Sequence, residues 1–298
     1  MTDGIILLDK PAGQTSFQSL GGLKRRLGTG RVGHAGTLDR FAEGLLLVLT
    51  GRMTRLCAFA TGLDKEYVAS ITFGRGTDTL DPEGRVTAEG RVPTRGELEE
   101  ILPRFLGTSL QVPPDYSAIH VGGRRAYQAA RAGAPVALSP RTITVTTLQL
   151  LDFSPPAASV RIACSKGTYV RALARDIAAG LGTCAHVSAL RRTRIGGFNV
   201  SAAVRADVFD PARDVLSPVA FFDAAPSLGR IVLRQEALRS AYNGIRPTSA
   251  FFEVPVPAGD GTYGAFSSFG DLVAVVERAG ESWKYAAVFA PHAPEPAP

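Results

Sequence analysis

The sequence predicts an α+β fold with a mixed or antiparallel sheet, followed by a small β-rich domain. Predicted helices interleave with strands, but two neighbouring β-rich runs, RTITVTTLQLLDF and ASVRIACSKG, look like a hairpin rather than parts of a parallel sheet. Around 205–228 the composition turns to Asp, Pro and Ala, which indicates a boundary. We expect a first domain over 1–225, a second over 226–290 and a disordered Pro/Ala tail over 291–298.

Local signals place the first elements. GIILLD (4–9) predicts a buried strand, and Thr15 or Ser16 can cap a helix that Gly28 ends. A second strand, LLLVL (45–49), precedes a short helix around MTRLCAFA. EYVASITFG (66–74) alternates, so its residues at 67, 69, 71 and 73 are expected to share one buried face.

The later elements are predicted in the same way. Thr94 and Glu97 form a capping box before a helix that runs through Leu106. The stretch 113–140 holds arginines and prolines around one short helical piece, RRAYQAARAG. Thr168 is expected to cap the helix in TYVRALARDIAAGLG. The second domain contains four strand-like runs, GRIVLR, AFFEVPV, DLVAVVE and KYAAVFA, with a short helix in QEALRSAYNG.

Composition limits the classes of function. We expect no membrane span and no secretory signal, because no apolar window of about 18 residues occurs and the N-terminus lacks a basic region. Three cysteines without paired spacing favour a reducing, cytoplasmic location. Neither Cys nor His clusters at metal-ligand spacing, so we expect no metal.

The net charge of +6 suggests an anionic partner. Short basic clusters occur at Lys24-Arg25-Arg26, Arg124-Arg125 and Arg191-Arg192. Arginine suits phosphate contacts, although each cluster is equally compatible with a solvated surface.

The loop GHAGTLDRFAEG (33–44) raises the question of what Asp39 does. Its glycines let the backbone approach a ligand closely. Arginines at 31, 40, 52 and 55 could hold an ionised carboxylate and lower the pKa of Asp39. Such a group can be a nucleophile, a base or a metal ligand, whereas most aspartates in such loops only form an Asx-turn or a helix cap. His34 could serve as a base, but a loop histidine more often hydrogen-bonds or stacks.

GHAGTLD followed by xxAxGLL resembles the catalytic motif of the TruB family of tRNA pseudouridine synthases. Further blocks of that family follow in order over about 4–200: LLDKPAGQTS, DKEYVASITFGRGTDTLDPEG, PPDYSAIHVGGRRAYQAARAG, CSKGTYVRALARDIAAGLG and AHVSALRRTRIGGF. The resemblance implies a pseudouridine synthase catalytic domain and a C-terminal PUA-like RNA-binding domain. It also implies conversion of uridine 55 in the tRNA T-loop to pseudouridine, with no metal or organic cofactor.

The resemblance also assigns roles to single residues. Asp39 would attack a flipped-out uridine, whose base detaches, rotates and rejoins through carbon 5. Tyr67 would stack on the target base and Arg171 would pair with Asp39. Without the resemblance, Tyr67 is a core aromatic and Arg171 an ordinary helix residue.

Four further positions match the family as substrate-binding or supporting residues. Tyr169 and Leu190 would line the pocket, His34 would fill the space left by the flipped uridine, and Lys10 would support the site from the KPxG element. The stretch 113–140 matches an insertion that clamps the tRNA T-arm. The resemblance implies a monomer that binds tRNA, with no membrane and no obligatory protein partner.

One segment departs from the family pattern. The family usually has Pro-Leu-Ala-Thr-Gly after the aspartate, and this chain has Arg40-Phe41-Ala42-Glu43-Gly44. Arg40 would either pair with Glu43 or compete with Arg171 for Asp39. Two other functions therefore stay open: an RNA-folding chaperone with weak or no catalysis, and the same chemistry on a different RNA.

Overall fold

The computed structural model describes residues 3–117, 119–121, 124–132, 134, 136–253, 255 and 259–290. The predicted tail at 291–298 and parts of 113–140 lie outside these residues. No helix within the described ranges is both long and apolar enough to cross a membrane.

The strands are β1 (Gly4–Lys10), β2 (Val32–Ala35), β3 (Glu43–Thr50), β4 (Lys65–Phe73), β5 (Arg75–Thr77), β6 (Val86–Glu89), β7 (Gly107–Gln111), β8 (His120–Val121), β9 (Arg124–Arg125), β10 (Arg141–Ser154), β11 (Ala157–Cys164), β12 (Ala185–Ile195), β13 (Phe198–Asn199), β14 (Leu228–Val232), β15 (Gly261–Phe266), β16 (Leu272–Ala279) and β17 (Ser282–Val288). The α-helices are α1 (Ser16–Leu27), α2 (Cys57–Thr61), α3 (Arg95–Ile101), α4 (Ala126–Arg131), α5 (Val170–Gly180), α6 (Pro211–Asp214), α7 (Pro218–Asp223) and α8 (Leu238–Tyr242). Short 3₁₀ helices cover Gly51–Leu56, Leu102–Phe105, Val200–Ala202, Gln235–Ala237 and Ser249–Phe251.

A nine-stranded mixed sheet forms the first domain. Its order is β1-β3-β12-β4-β11-β10-β7, with β2 paired to β3 and β13 paired to β12. Neighbours are antiparallel except β3 and β12, which are parallel. The predicted α+β fold with a mixed sheet is confirmed, and β10 and β11 form the expected hairpin.

Strand β4 shows how the sheet is anchored. Tyr67, Ala69, Ile71 and Phe73 are buried and the residues between them are partly exposed, as the alternation predicts. The buried face packs against helices α3 and α5 in one hydrophobic cluster. This packing places the start of α5 beside the centre of the sheet.

The capping box predicted at Thr94 is present, and of the two predicted caps for α1 it is Thr15 that caps the helix, also through a capping box. The Thr15 hydroxyl accepts a hydrogen bond from the Gln18 backbone N–H at 3.2 Å, and α1 ends at Gly28 with a φ of 61°. The Thr94 hydroxyl accepts from the Glu97 N–H at 3.3 Å, and the Glu97 carboxylate accepts from the Thr94 N–H at 2.7 Å. The helix after Thr94 is α-helical only to Ile101, and a 3₁₀ turn continues it to Phe105.

The prediction that Thr168 caps a helix is wrong. Helix α5 has Tyr169 at its N-cap, with no side-chain capping bond. The side chain of Gln111 on β7 binds the backbone of Tyr169 instead. Its Oε1 accepts from the Tyr169 N–H at 2.9 Å and its Nε2 donates to the Tyr169 carbonyl at 3.2 Å. The side-chain amide of Gln111, which is distant in sequence, therefore binds the start of α5 where the Thr168 hydroxyl was expected.

The C-terminal region is β-rich, with a four-stranded sheet in the order β14-β15-β16-β17. AFFEVPV does not form the predicted strand, since its described part contributes a 3₁₀ turn and a single bridge between Leu233 and Phe252. The second strand of this sheet is β15, whose sequence does not stand out as an apolar run because it contains two glycines. The predicted short helix in QEALRSAYNG is confirmed as α8.

The two sheets share an apolar core. Phe266 and Leu272 of the C-terminal sheet lie in the same cluster as Leu47 and Met53 of the first domain. The guanidinium of Arg52 donates to the carbonyls of Phe289 at 3.0 Å and Ala290 at 2.8 Å. The boundary near residue 225 stays a prediction.

Gly44 has a positive φ of 100°, and a Cβ there would lie 2.4 Å from the Arg192 carbonyl oxygen. We expect Gly44→Ala to lower the free energy of unfolding by about 2 kcal/mol or more, through backbone strain and the clash between β3 and β12. Urea unfolding measures this loss.

Gly107→Ala is the matched control. Gly107 has a similar φ of 89°, but nothing lies within 4 Å of its added Cβ. Its loss should be limited to strain of about 1 kcal/mol. Equal losses for the two variants would contradict the close approach of β3 and β12.

Candidate active site

Asp39 lies in the loop between β2 and β3, where two short contacts fix the backbone. The Ser16 hydroxyl donates to the Leu38 carbonyl at 3.1 Å and accepts from the Leu38 N–H at 2.9 Å. Leu38 is itself buried in the main core. The loop is therefore attached to the first turn of α1 and to the sheet, and Asp39 projects from a fixed position.

Arg171, in the first turn of α5, holds the Asp39 carboxylate with two arms of its guanidinium. Its Nε lies 2.8 Å from Oδ2 and its Nη2 lies 3.1 Å from Oδ1. The remaining hydrogens go to the carbonyls of Thr79 at 2.7 Å and Tyr116 at 3.0 Å. The Arg171 side chain is only 5% exposed, so the guanidinium of this bidentate pair is shielded from water.

A second carboxylate, Asp81, was not singled out from the sequence. Its Oδ2 lies 3.3 Å from Nη1 of Arg171, and its Oδ1 accepts from the Thr79 hydroxyl and the Glu83 N–H. Leu80, which precedes it, has a positive φ of 62°. In the sequence, Asp81 is indicated only by the acidic turn GTDTLDPEG, and the spacing of that turn does not show which of its carboxylates points inward.

The pKa of Asp39 departs from the sequence expectation. Burial raises it above its usual value, and Asp81 raises it further, while the Arg171 guanidinium opposes both effects. The expected lowering by nearby arginines is therefore wrong in its net direction. The carboxylate still keeps 38% of its side-chain surface exposed toward the cleft.

The arginines beside Asp39 in sequence have other partners. Arg40 donates to the Gly13 carbonyl at 3.0 Å and lies 3.9 Å from the Glu83 carboxylate. Glu43 pairs with Arg191 at 3.1 Å. Among the described residues, Arg40 pairs with neither Glu43 nor Asp39, so both alternatives for Arg40 are wrong.

A cleft of about 820 Å³ opens in front of Asp39. Arg171, Tyr67, Tyr169 and Leu190 line it together with Asp39, as the sequence predicts. Tyr67 and Leu190 are buried and present the apolar part of the wall. The volume lies in the range of small-molecule sites and accommodates a nucleoside.

Arg192 also lines the cleft. Its side chain is buried and donates to the carbonyls of Leu45 at 2.7 Å and Gly36 at 3.1 Å. Arg191, whose side chain is 37% exposed, is held by Asp9 at 2.8 Å as well as by Glu43. Both arginines of this cluster are therefore bound by acceptors of the chain itself.

Lys10 and His34 are not among the residues that line the cleft. Buried Lys10 donates to the carbonyls of Gln14 at 2.6 Å and Pro11 at 2.9 Å, and burial lowers its pKa to about 8. His34 is half-buried on β2 and burial lowers its pKa. Lys10 supports the loop backbone, in keeping with the supporting role predicted for it.

Within the described part of the chain, no three or more His, Cys, Asp or Glu side chains form a group that could hold a metal ion.

Family models match most of the first domain. The model described as TruB family pseudouridylate synthase (N terminal domain) matches residues 24–170, and the model described as tRNA pseudouridylate synthase B C-terminal domain matches residues 171–214.

Curated relatives match over longer stretches. A tRNA pseudouridine synthase B of Borrelia garinii subsp. bavariensis is 36% identical over 97% of this chain and 100% of its own length. That of Borreliella burgdorferi (strain ZS7) is 45% identical over 67% of this chain and 72% of its own length. That of Symbiobacterium thermophilum is 42% identical over 82% of this chain and 83% of its own length.

Solved structures share the fold. The chain is similar to one in a Cbf5-Nop10-Gar1 complex, with a TM-score of 0.73 and 24% identity over 97% of this chain and 85% of that chain. A chain in an H/ACA RNP bound to a substrate RNA gives a TM-score of 0.71 and 23% identity over the same shares. With the two family models and relatives that match over nearly its full length, this chain belongs to the TruB family of pseudouridylate synthases.

Proposed function

We propose that this enzyme converts uridine 55 in the T-loop of tRNA to pseudouridine, with Asp39 as the nucleophile. The bidentate Asp39–Arg171 pair at the wall of the cleft is the observation that carries the proposal. The curated relatives are named tRNA pseudouridine synthase B, which supports tRNA as the substrate.

The reaction is an isomerisation with balanced atoms. Asp39 attacks C1′ of the ribose and forms an ester bond as the bond between C1′ and N1 breaks, and the detached uracil anion rotates. Carbon 5 then displaces the carboxylate from C1′, the proton on carbon 5 is lost to solvent and N1 takes up a proton from solvent. No electrons are gained or lost overall.

Each wall residue has a defined task in this proposal. Arg171 orients both oxygens of Asp39, so that the carboxylate faces the cleft without rotation. Tyr67 stacks on the uracil ring, and Leu190 and Tyr169 limit its movement after it detaches. His34 lies on β2, behind the loop, and its insertion into the space left by the flipped uridine remains part of the proposal.

In this proposal the RNA approaches an opening that contains exposed arginines. Arg40 and Arg85 lie among the residues of the cleft, and the arginine-containing stretch 113–140 borders it through Tyr116 and Tyr127. Phosphate contacts by such side chains make binding weaken as salt rises. We propose a monomeric cytoplasmic enzyme that binds the T-arm without an obligatory protein partner.

Asp39→Asn should abolish pseudouridine formation in an unmodified tRNA transcript. We expect a loss of more than about 10³-fold, since an amide is not a nucleophile at this position. Filter binding should show that the variant still binds the transcript. Asp152→Asn, at a carboxylate that is 67% exposed and lies 3.7 Å from Arg95, is the control and should convert RNA at the wild-type rate.

Two outcomes would contradict the proposal. A wild-type chain that binds tRNA but converts no uridine would support the chaperone function. Conversion of a uridine outside the T-loop, located by product mapping, would support the same chemistry on another site.

The pH dependence reports the ionisation of Asp39. Conversion should fall as the pH drops through the raised pKa of Asp39, because the protonated acid does not attack. Asp81→Asn removes a negative charge that raises this pKa, so the acid limb should move to lower pH. Single-turnover rates across the acid range measure the shift, and a limb that moves to higher pH would contradict the assignment.

Arg40→Ala tests whether the residue that departs from the family pattern affects the chemistry. Arg40 contacts Gly13 and Glu83 and not Asp39, and its side chain is exposed. We expect the rate at saturating RNA to change by no more than about fivefold, as exposed ion pairs contribute at most about 1 kcal/mol. A large gain in rate would show that Arg40 inhibits Asp39.

A further inference from the structure

Helix α1 presents a phenylalanine to solvent next to the cleft. The Phe17 side chain is 70% exposed, whereas Leu20 and Leu23 of the same helix are buried in a core cluster. The Lys24 ammonium lies over the Phe17 ring, 4.6 Å from its centroid. The hydrophobic core of the domain therefore does not account for this aromatic ring.

The charge of α1 is one-sided. Its twelve residues include Lys24, Arg25 and Arg26 and no acidic residue. Arg26 donates to the backbone carbonyls of Asp207 and Phe209, which fixes the end of the helix. Basic residues in a last turn also stabilise the helix dipole, but that effect does not explain an exposed aromatic residue in the first turn.

The start of α1 is joined to both sides of Asp39. Thr15, the N-cap, lines the cleft, and Ser16 holds Leu38 through the two hydrogen bonds described above. The Gly13 N–H also donates to the Arg40 carbonyl at 2.8 Å. Phe17 follows Thr15 by two residues, so their Cα atoms are at most about 7.6 Å apart.

We propose that Phe17 and Lys24 form a stacking platform for a nucleobase that flanks the target uridine. The proposal rests on the proposed function, because it needs an RNA strand whose target base enters the cleft. When that base flips out, its neighbours lose a stacking partner. In this proposal the exposed ring of Phe17, two residues along the chain from the cleft-lining Thr15, replaces that partner, and the Lys24 ammonium beside the ring contacts the adjoining phosphate.

RNA fits this surface better than an apolar protein partner does. Phe17 is flanked on α1 by polar and basic side chains, Gln18 and Lys24 among them, and not by other exposed apolar residues. A polyanion with flat bases matches both the ring and its surrounding charge. Stacking of this kind is also tolerant of sequence, as any base offers a π-face.

The first test measures binding of an unmodified tRNA transcript in the Asp39→Asn background, which prevents turnover. Adding Phe17→Ala should weaken binding on the order of tenfold, whereas Phe17→Trp should bind like its parent. Phe17→Leu, which keeps an apolar side chain without a π-face, should also weaken binding. Leu151→Ala truncates an exposed apolar residue on β10 and is the control.

The position of the contacted base is tested with transcripts that carry an abasic residue on the 5′ or the 3′ side of the target uridine. With one of the two, Phe17→Ala should have no further effect, because the base that stacks is missing. Lys24→Gln should reduce the slope of log affinity against log salt by about one.

Three results would overturn the platform: equal binding by Phe17→Ala and its parent, full binding by Phe17→Leu, or an effect of Phe17→Ala that persists with both abasic transcripts. Failure of the proposed function looks different. In that case the wild-type chain makes no pseudouridine, while the Phe17 comparison still gives a result.

Discussion

The pairing of Asp39 with Arg171 is the constraint on which the architecture of the site depends. Burying a guanidinium is costly unless its hydrogens are satisfied, and here two carboxylates and two backbone carbonyls satisfy them. Those acceptors come from three separate segments, which the sheet and α5 must bring together. The requirement to satisfy one arginine thus explains why the acidic turn, the Tyr116 segment and the Asp39 loop converge.

The same pair sets the balance of effects on the pKa of Asp39. Burial and Asp81 raise the pKa of Asp39, while Arg171 lowers it. An aspartate that was only salt-bridged would be stabilised as an anion and would attack less readily. Partial desolvation opposes that stabilisation, so Asp39 combines a fixed orientation with a carboxylate that is less strongly solvated than one in water.

Much of the fold follows from local sequence signals, and the failures have physical causes. The alternation of β4 and the capping boxes at Thr15 and Thr94 depend on neighbours in sequence, and the structure contains all three. Thr168 is not the cap because the N-cap of α5 is Tyr169, whose N–H and carbonyl are hydrogen-bonded by Gln111, 58 residues from Tyr169 in sequence. Asp81 and Arg192 were not identified for the same reason: their roles depend on partners brought close only by the sheet.

The assignment of Asp39 itself came from the family resemblance and not from its spacing, which is equally compatible with an Asx-turn. Charge spacing was also misleading around it, because the nearest arginines in sequence point elsewhere and the one that pairs with it lies 132 residues away. Arg40 and Glu43, which depart from the family pattern, also have partners other than Asp39. Arg40 contacts Gly13 and Glu83. Glu43 binds Arg191 together with Asp9. Both charges are therefore bound by residues around the loop. The substituted segment therefore leaves the Asp39–Arg171 pair free of competing ion pairs from Arg40 and Glu43.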